Sequence, residues 1–387
     1  MKLIIMGIGI TSFNAICNLG NGIDEIYHNA IIGNNTNFEI KNNIIKNKKV
    51  RLGIVKKDFP KISSPDYNTR CNRMLLECLK SIEANIREII NKYGSDKVAI
   101  VVATTNTGVE EYETSNNSKH FEIGNPAIFV QKYFQLNNVA LSVSTACSSG
   151  IKAFTIAREI LNTELAQTVI VIGVDSIAKL PIFGFDSLGV LTDEPTNPFG
   201  AERNGINIGE GVATFVLEKQ EKPKIEILGI GETTDVYHST CPDPTAKESI
   251  NAIQIAMKEA NLSPKQIDYI NLHGTGTISN DIMEANAISA IFGENTPCSS
   301  TKPLTGHCLG AAASIEIALC CELIKRQNSK LYPHIYSGEY DPKLPKIKLV
   351  SKNDKTIHNV DKCLCTAFGF GGANTVIILG RNHYEKL

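Results

Sequence analysis

The sequence predicts an α/β fold made of two similar β/α halves. Short Val/Ile-rich runs alternate with helical patterns along the whole chain, which is the mark of α/β layering. The alternation restarts after a charged, proline-containing stretch, EKQEKPK at 218–224. A length of 387 residues also exceeds one simple core and suits two units. We therefore place a first half at 1–220 and a second at 221–387, with their sheets packed together.

In the first half, strands are expected at 2–6, 98–104, 140–143, 168–174 and 212–218. Their continuous Val/Ile character, without polar alternation, marks strands buried on both faces. Helices are expected at 71–92, 125–135 and 148–162. In the second half, strands are expected at 225–230, 268–272, 346–350, 361–367 and 375–379, with helices at 246–260, 280–291 and 309–326. Residues 33–60 are polar and basic and form an excursion from the first half.

Composition excludes several classes of function. Basic and acidic residues nearly balance, 39 against 40, and no basic–aromatic interleaving suggests nucleic acid. No apolar stretch reaches the roughly 18 residues that span a bilayer. The N-terminal MKLIIMGIGITSF is apolar for too few residues to be a signal peptide and reads as a buried first strand. The eleven cysteines are then expected to be reduced thiols of a cytoplasmic protein. Cys363 and Cys365 lie in an apolar run without zinc-ligand spacing, so no metal is expected.

Four segments place reactive or very small residues at strand ends, where α/β folds hold ligands. In SVSTACSSG, Cys147 precedes a helix whose unpaired N–H groups and dipole favour thiolate, yet the segment alone fits a buried structural cysteine better. In INLHGTGTISNDIMEANA, a strand delivers His273, and Thr275 and Thr277 lie on an open turn suited to a long polar ligand. Asn280 is a plausible cap, with Asp281 and Glu284 in the first helical turn. In CSSTKPLTGHCLGAAASIE, Lys302 and His307 bracket a turn, with Glu316 as a partner for a buried lysine. His307 opens a helix and is expected to stay neutral there. In TAFGFGGANTVIILG, Gly371 and Gly372 permit positive φ, and a backbone N–H there can complete an oxyanion hole.

Together these segments resemble the β-ketoacyl-acyl carrier protein synthases, the elongating condensing enzymes of the thiolase-like fold. The resemblance rests on STACSSG, HGTGT..ND..E, STKPLTGH.LGAA..IE and FGFGGAN, in that order, with R.GINIGEG at 203–211 in addition. It implies a layered α-β-α-β-α arrangement and a Cys147–His273–His307 triad. It further implies that Cys147 carries the acyl group, and that both histidines donate to the malonyl thioester oxygen. The N–H groups of Cys147 and Phe370 would form the oxyanion hole, with Phe370 as a gate, Phe368 nearby and Lys302 paired with Glu316. Departures are modest: Asn204 for a common Asp, Ala313 for a common Gly, and Thr366-Ala367 for Asn-Ser. Segments 69–79 and 191–211 resemble synthases of aryl-polyene-type clusters.

The same resemblance implies an acyl carrier protein as partner, which brings the phosphopantetheine arm, so no further cofactor is expected. It implies a homodimer, or a heterodimer with a homologous synthase-like subunit such as a chain-length factor. Lys46, Lys48, Lys49, Arg51, Lys56 and Lys57 are a candidate docking patch for the acidic carrier, although a solvated basic loop explains the same cluster better. Two alternatives remain: a non-catalytic partner subunit such as a chain-length factor, which the presence of Cys147, His273 and His307 opposes, and a thiolase-like CoA enzyme.

Overall fold

The computed structural model of the chain describes residues 6–381. In chain order the first half contains β1 (Gly7–Cys17), α1 (Ile23–Ile31), β2 (Glu39–Ile45), β3 (Lys48–Gly53), α2 (Arg70–Lys80), α3 (Glu83–Tyr93) and β4 (Val98–Ala103). It continues with α4 (Val109–Ser115), α5 (Asn125–Phe134), β5 (Ala140–Val143), α6 (Ser149–Asn162), β6 (Thr168–Asp175), α7 (Lys179–Ser187), β7 (Ile208–Gly209) and β8 (Gly211–Gln220). The second half contains β9 (Glu226–Thr234), α8 (Lys247–Glu259), β10 (Tyr269–Asn271), α9 (Ile278–Phe292), β11 (Cys298–Ser299), α10 (Lys302–Thr305), α11 (Ala312–Arg326), β12 (Lys362–Gly369) and β13 (Ala373–Gly380).

Ten strands hydrogen-bond in the order β11-β10-β12-β13-β9-β1-β8-β6-β4-β5. Divided between β9 and β1, the two blocks repeat one another. In each, the second strand is parallel to the third and fourth, and the last strand is antiparallel to both the fourth and the first. The blocks join through one strand pairing, Gly9 with Glu226, so the two sheets share an edge while their faces lie in separate layers. Helices α2, α3 and α5 cover the outer face of the first block, and α8 and α9 that of the second. Between the blocks lie α6 and α11, whose apolar residues share one core with strands from both. The layers are therefore α-β-α-β-α.

The central helices approach so closely that only the smallest residues fit. A Cβ on Gly150 of α6 would meet the Ser314 backbone nitrogen at 2.7 Å and the Ala313 Cβ at 2.9 Å. Part of the smallness around Cys147 is therefore helix packing.

Several elements differ from expectation, each for a local reason. The strand expected at 2–6 lies outside the described residues except for Met6; within them the first strand is β1, Gly7–Cys17. Its Gly9 accommodates close approach, since a Cβ there would meet Pro223 at 2.7 Å. The helix expected at 71–92 breaks after Lys80, where the Ser81 hydroxyl donates to the Cys78 carbonyl. Residues 346–350 form no strand, because the Leu349 N–H turns back to the Ile347 carbonyl and leaves a single bridge to Cys298. The basic excursion contains the hairpin β2–β3, which joins β7 in a second, three-stranded sheet. Three of the six basic residues of the candidate docking patch are engaged within the chain: Lys48 with Asp186, Lys57 with Glu77, and Arg51 over the Phe38 ring.

Replacing Gly150 with leucine forces α6 and α11 apart, so denaturant unfolding should show a loss of about 1–3 kcal/mol. Unchanged stability would contradict the close packing of the two central helices.

Candidate active site

The duplicated topology explains how distant sequence segments meet. Cys147 follows β5, the third strand of the first block, and precedes α6. His307 follows β11, the third strand of the second block, and precedes α11. Because the two central helices cross near their N-terminal ends, these equivalent junctions face each other, with Cys147 Sγ 3.0 Å from His307 Nε2. His273 enters from the end of β10, its ring 5.6 Å from that of His307 and perpendicular to it. Sulfur and ring nitrogens of the three residues lie within 4.8 Å of one another, and all three side chains are buried.

The turn carrying Cys147 is tight. Ala146 sits in the left-handed region at φ 53°, at a cost of roughly 1–2 kcal/mol. The neighbouring serines offset it: Ser149 Oγ accepts from the Thr145 N–H and donates to the Ala146 carbonyl, while Ser148 Oγ donates to the Thr145 carbonyl. SerSer after the cysteine is thus a pair of backbone staples.

Hydrogen bonding fixes the tautomer of both imidazoles. The Leu309 N–H donates to His307 Nδ1 at 3.1 Å, so a neutral ring carries its proton on Nε2, facing the sulfur. Lys302 Nζ, which can only donate, lies 3.3 Å from His273 Nδ1, which places the His273 proton on Nε2 as well. Burial, followed by the charge of Lys302, holds both histidines well below the usual imidazole range. Both rings are therefore neutral donors aimed into one space. His307 lies five residues ahead of α11 instead of opening it, so burial and Lys302 keep it neutral, in place of the helix terminus expected from sequence.

Burial also outweighs the expected activation of the cysteine. The thiol is pushed up to about 12 by desolvation, against which Lys302 and a backbone hydrogen bond act in the opposite direction. At rest the sulfur is protonated, and the nearby His307 Nε2–H stabilises thiolate only as the proton leaves.

Lys302 is the hub behind the histidines. Its Nζ donates to the His273 carbonyl at 2.5 Å and to Glu316 Oε1 at 2.7 Å. Burial pushes the Glu316 carboxyl up to about 7, although Lys302 lowers it. Glu284 holds the His273 loop from below, accepting from the N–H groups of His273 and Gly274 and from the Thr366 hydroxyl. Thr366, in a position where the resembling family commonly has Asn, is thus part of the scaffold. Asp281 accepts from the N–H groups of Phe199 and Gly276, and burial pushes it up to about 7. Asn280 does not cap the helix: α9 starts at Ile278 after Thr277, and Asn280 donates to Asp281.

A chamber opens from Cys147 to the surface, lined by Thr275, Thr277, Phe368, Phe370 and Gly371 as well as both histidines. The hydroxyls of Thr275 and Thr277 lie 2.9 Å apart. Gly371, at φ 85°, gives its N–H to the Ser239 carbonyl at 2.8 Å, so that donor secures the 235–242 segment at the mouth. Sequence reading missed that segment and also missed Phe185 of α7, whose ring lies 6.4 Å from His307 and 5.7 Å from Phe370. Nothing in LPIFGFDS marks Phe185 as facing the site, because the helix lacks a clear apolar period.

The triad is the one cluster of three metal-capable groups among the described residues. A metal would need the Nε2 lone pairs, moving each ring proton to Nδ1, where the Leu309 N–H and Lys302 Nζ already point. The hydrogen bonding therefore suits donation to an oxygen and opposes metal ligation. Iodoacetamide alkylation of Cys147, followed by peptide mapping, should accelerate about tenfold per pH unit across roughly pH 7–10. A plateau beginning below roughly pH 8 would contradict a resting thiol.

Comparison with known proteins gives this geometry a family. The profile described as "Beta-ketoacyl synthase, N-terminal domain" matches residues 63–223, and "Beta-ketoacyl synthase, C-terminal domain" matches residues 225–335. The 3-oxoacyl-[acyl-carrier-protein] synthase 2 of Coxiella burnetii is 31% identical over 64% of this chain and 63% of that protein. The protein of the same description from Synechocystis is 28% identical over 95% of this chain and 96% of that protein. Among solved structures, a chain of the complex of the ketosynthase ApeO with its chain length factor ApeC from Xenorhabdus doucetiae superposes with a TM-score of 0.92. It is 35% identical, with 97% of this chain and 98% of that chain covered. With its duplicated fold, its Cys-His-His centre and this kinship, the chain belongs to the β-ketoacyl synthase family.

Proposed function

We propose that this chain is a β-ketoacyl-[acyl-carrier-protein] synthase, an acyltransferase that lengthens a fatty acyl or polyene chain by two carbons. The observation that carries this reading is the convergence of two Nε2–H donors on the space beside Cys147 Sγ. Cys147 attacks the carbonyl of an acyl thioester; its new C–S bond forms as the bond to the carrier sulfur breaks, and the proton leaves with the carrier thiol. The malonyl thioester of a second carrier then enters with its arm along Thr275 and Thr277.

Loss of carbon dioxide leaves an electron pair as an enolate, whose oxygen receives both Nε2–H bonds. Neutral histidines suit this role, since each keeps its donor without needing to exchange a proton. The enolate carbon attacks the acyl-Cys147 carbonyl, whose oxygen faces the N–H groups of Cys147 and Phe370. Collapse breaks the C–S bond, and the thiolate takes a proton from solvent. Phe368 and Phe370 shape the reacting end, while Lys302, Glu316, Glu284 and Asp281 hold the histidine loops.

The only prosthetic arm this chemistry requires is the phosphopantetheine of the carrier. A cytoplasmic location suits a carrier-dependent enzyme, and among the described residues no helix is long and apolar enough to cross a membrane. A boundary near residue 220 separates the half that holds the nucleophile from the half that holds both histidines. A dimer is favoured by β5, an open-edge strand that exposes Leu141. Kinship with a chain of a ketosynthase–chain length factor complex favours a heterodimer with a synthase-like subunit in a specialised polyene pathway.

Incubation with malonyl-carrier and a panel of acyl-carriers, with products weighed by mass spectrometry, should release carbon dioxide and give products two carbons longer. His273→Ala should lower that rate by about 10²–10³. Absence of carbon dioxide with every primer, even with a chain-length-factor partner supplied, would overturn the reading.

A further inference from the structure

Helix α7 is weakly anchored for an element that walls a reaction chamber. Among its described residues Ile182 alone is buried. Gly184 lies in its interior with open space around it, and glycine there weakens a helix. Leu180 and Phe183 face solvent. Yet this helix carries Phe185, which lines the chamber beside Cys147, its ring centroid 6.4 Å from that of His307 and 5.7 Å from that of Phe370.

Besides the Lys179 N–H, which donates to Glu110 Oε2 of α4 at 3.2 Å, two independent contacts hold it from the side of the small sheet. Ile182 belongs to an apolar cluster with Ile45, Val50 and Leu52 of the hairpin, against which Phe185 packs. The residue after Phe185 is Asp186, whose Oδ1 accepts from Lys48 Nζ at 2.7 Å. Lys48 is well exposed, so this tie is weak enough to be tuned.

We infer that the β2–β3 hairpin is an external brace on the chamber wall: through Lys48–Asp186 and Ile182 it holds α7 so that Phe185 limits the length of chain attached to Cys147. That the chain is acyl rests on the condensing reading; the size limit itself does not. The hairpin thus makes Lys48 and Asp186 positioning residues for specificity, remote from the reacting atoms. Phe185 is the residue the incoming chain touches.

The test uses N-alkyl iodoacetamides of increasing chain length, with alkylation at Cys147 read by peptide mapping. This needs no turnover, and mapping separates Cys147 from the exposed Cys241. Lys48→Glu sets two carboxylates against each other and should raise the long-to-short labelling ratio by about two- to five-fold. The charge swap Lys48→Glu/Asp186→Lys should return the ratio to wild type. Phe185→Ala should raise the ratio at least as much and make it insensitive to Lys48→Glu. An unchanged ratio in Lys48→Glu, or an equal rise in the charge swap, would overturn the brace. If these shifts appear but acyl-carriers leave no acyl group on Cys147, the condensing reading fails while the brace stands.

Discussion

The buried ammonium of Lys302 is the constraint on which the site depends. It is 1% exposed and divides its hydrogens between His273 and Glu316. Because lysine can only donate, its presence beside Nδ1 turns His273 into a donor at Nε2. Its charge also helps to keep both imidazoles neutral. A buried cation is costly unless paired, and Glu316 supplies the pair. One residue thus sets protonation state, tautomer and loop position together.

The duplicated fold gives this constraint its geometry. Equivalent strand-to-helix junctions in the two halves bring Cys147 and His307 to one place, while the corner after β10 adds His273. The packing of α6 on α11 ties the nucleophile to the histidine loop as one rigid unit, through contacts at Gly150 and Ser314. Asp175 at the end of β6 reinforces that junction. It accepts from Gly310 beyond His307 and from Thr105 and Asn106 of the neighbouring loop.

Much of this was legible in the sequence, for a physical reason. Reactive residues at strand ends are surrounded by small residues that tight turns and close helices require, so STACSSG and HGTGT stand out by composition. The main strands of both blocks were readable because strands buried on both faces are continuously apolar, as 98–103 and 169–174 are. The hairpin at 39–53 was not, since its outer residues are polar and its sheet is small. Phe185 lies in a helix interrupted by proline and glycine, where periodicity carries no signal. At Cys147 burial outweighs the helix terminus that follows it, and a helix terminus is visible in sequence whereas the extent of burial is not. The His307 tautomer depends on the Leu309 N–H, delivered by a leucine at φ 53°, which no pattern of residue types announces.

The claim that both histidines are neutral Nε2–H donors organises everything else, from decarboxylation to the rejection of metal. Nitrogen-15 NMR of histidine-labelled protein at neutral pH tests it directly, with His273→Ala and His307→Ala variants assigning the two resonances. The account predicts a protonated Nε2 and an unprotonated Nδ1 for both rings, with the His273 pattern changed in Lys302→Met. An Nδ1–H tautomer or an imidazolium at either position would contradict it.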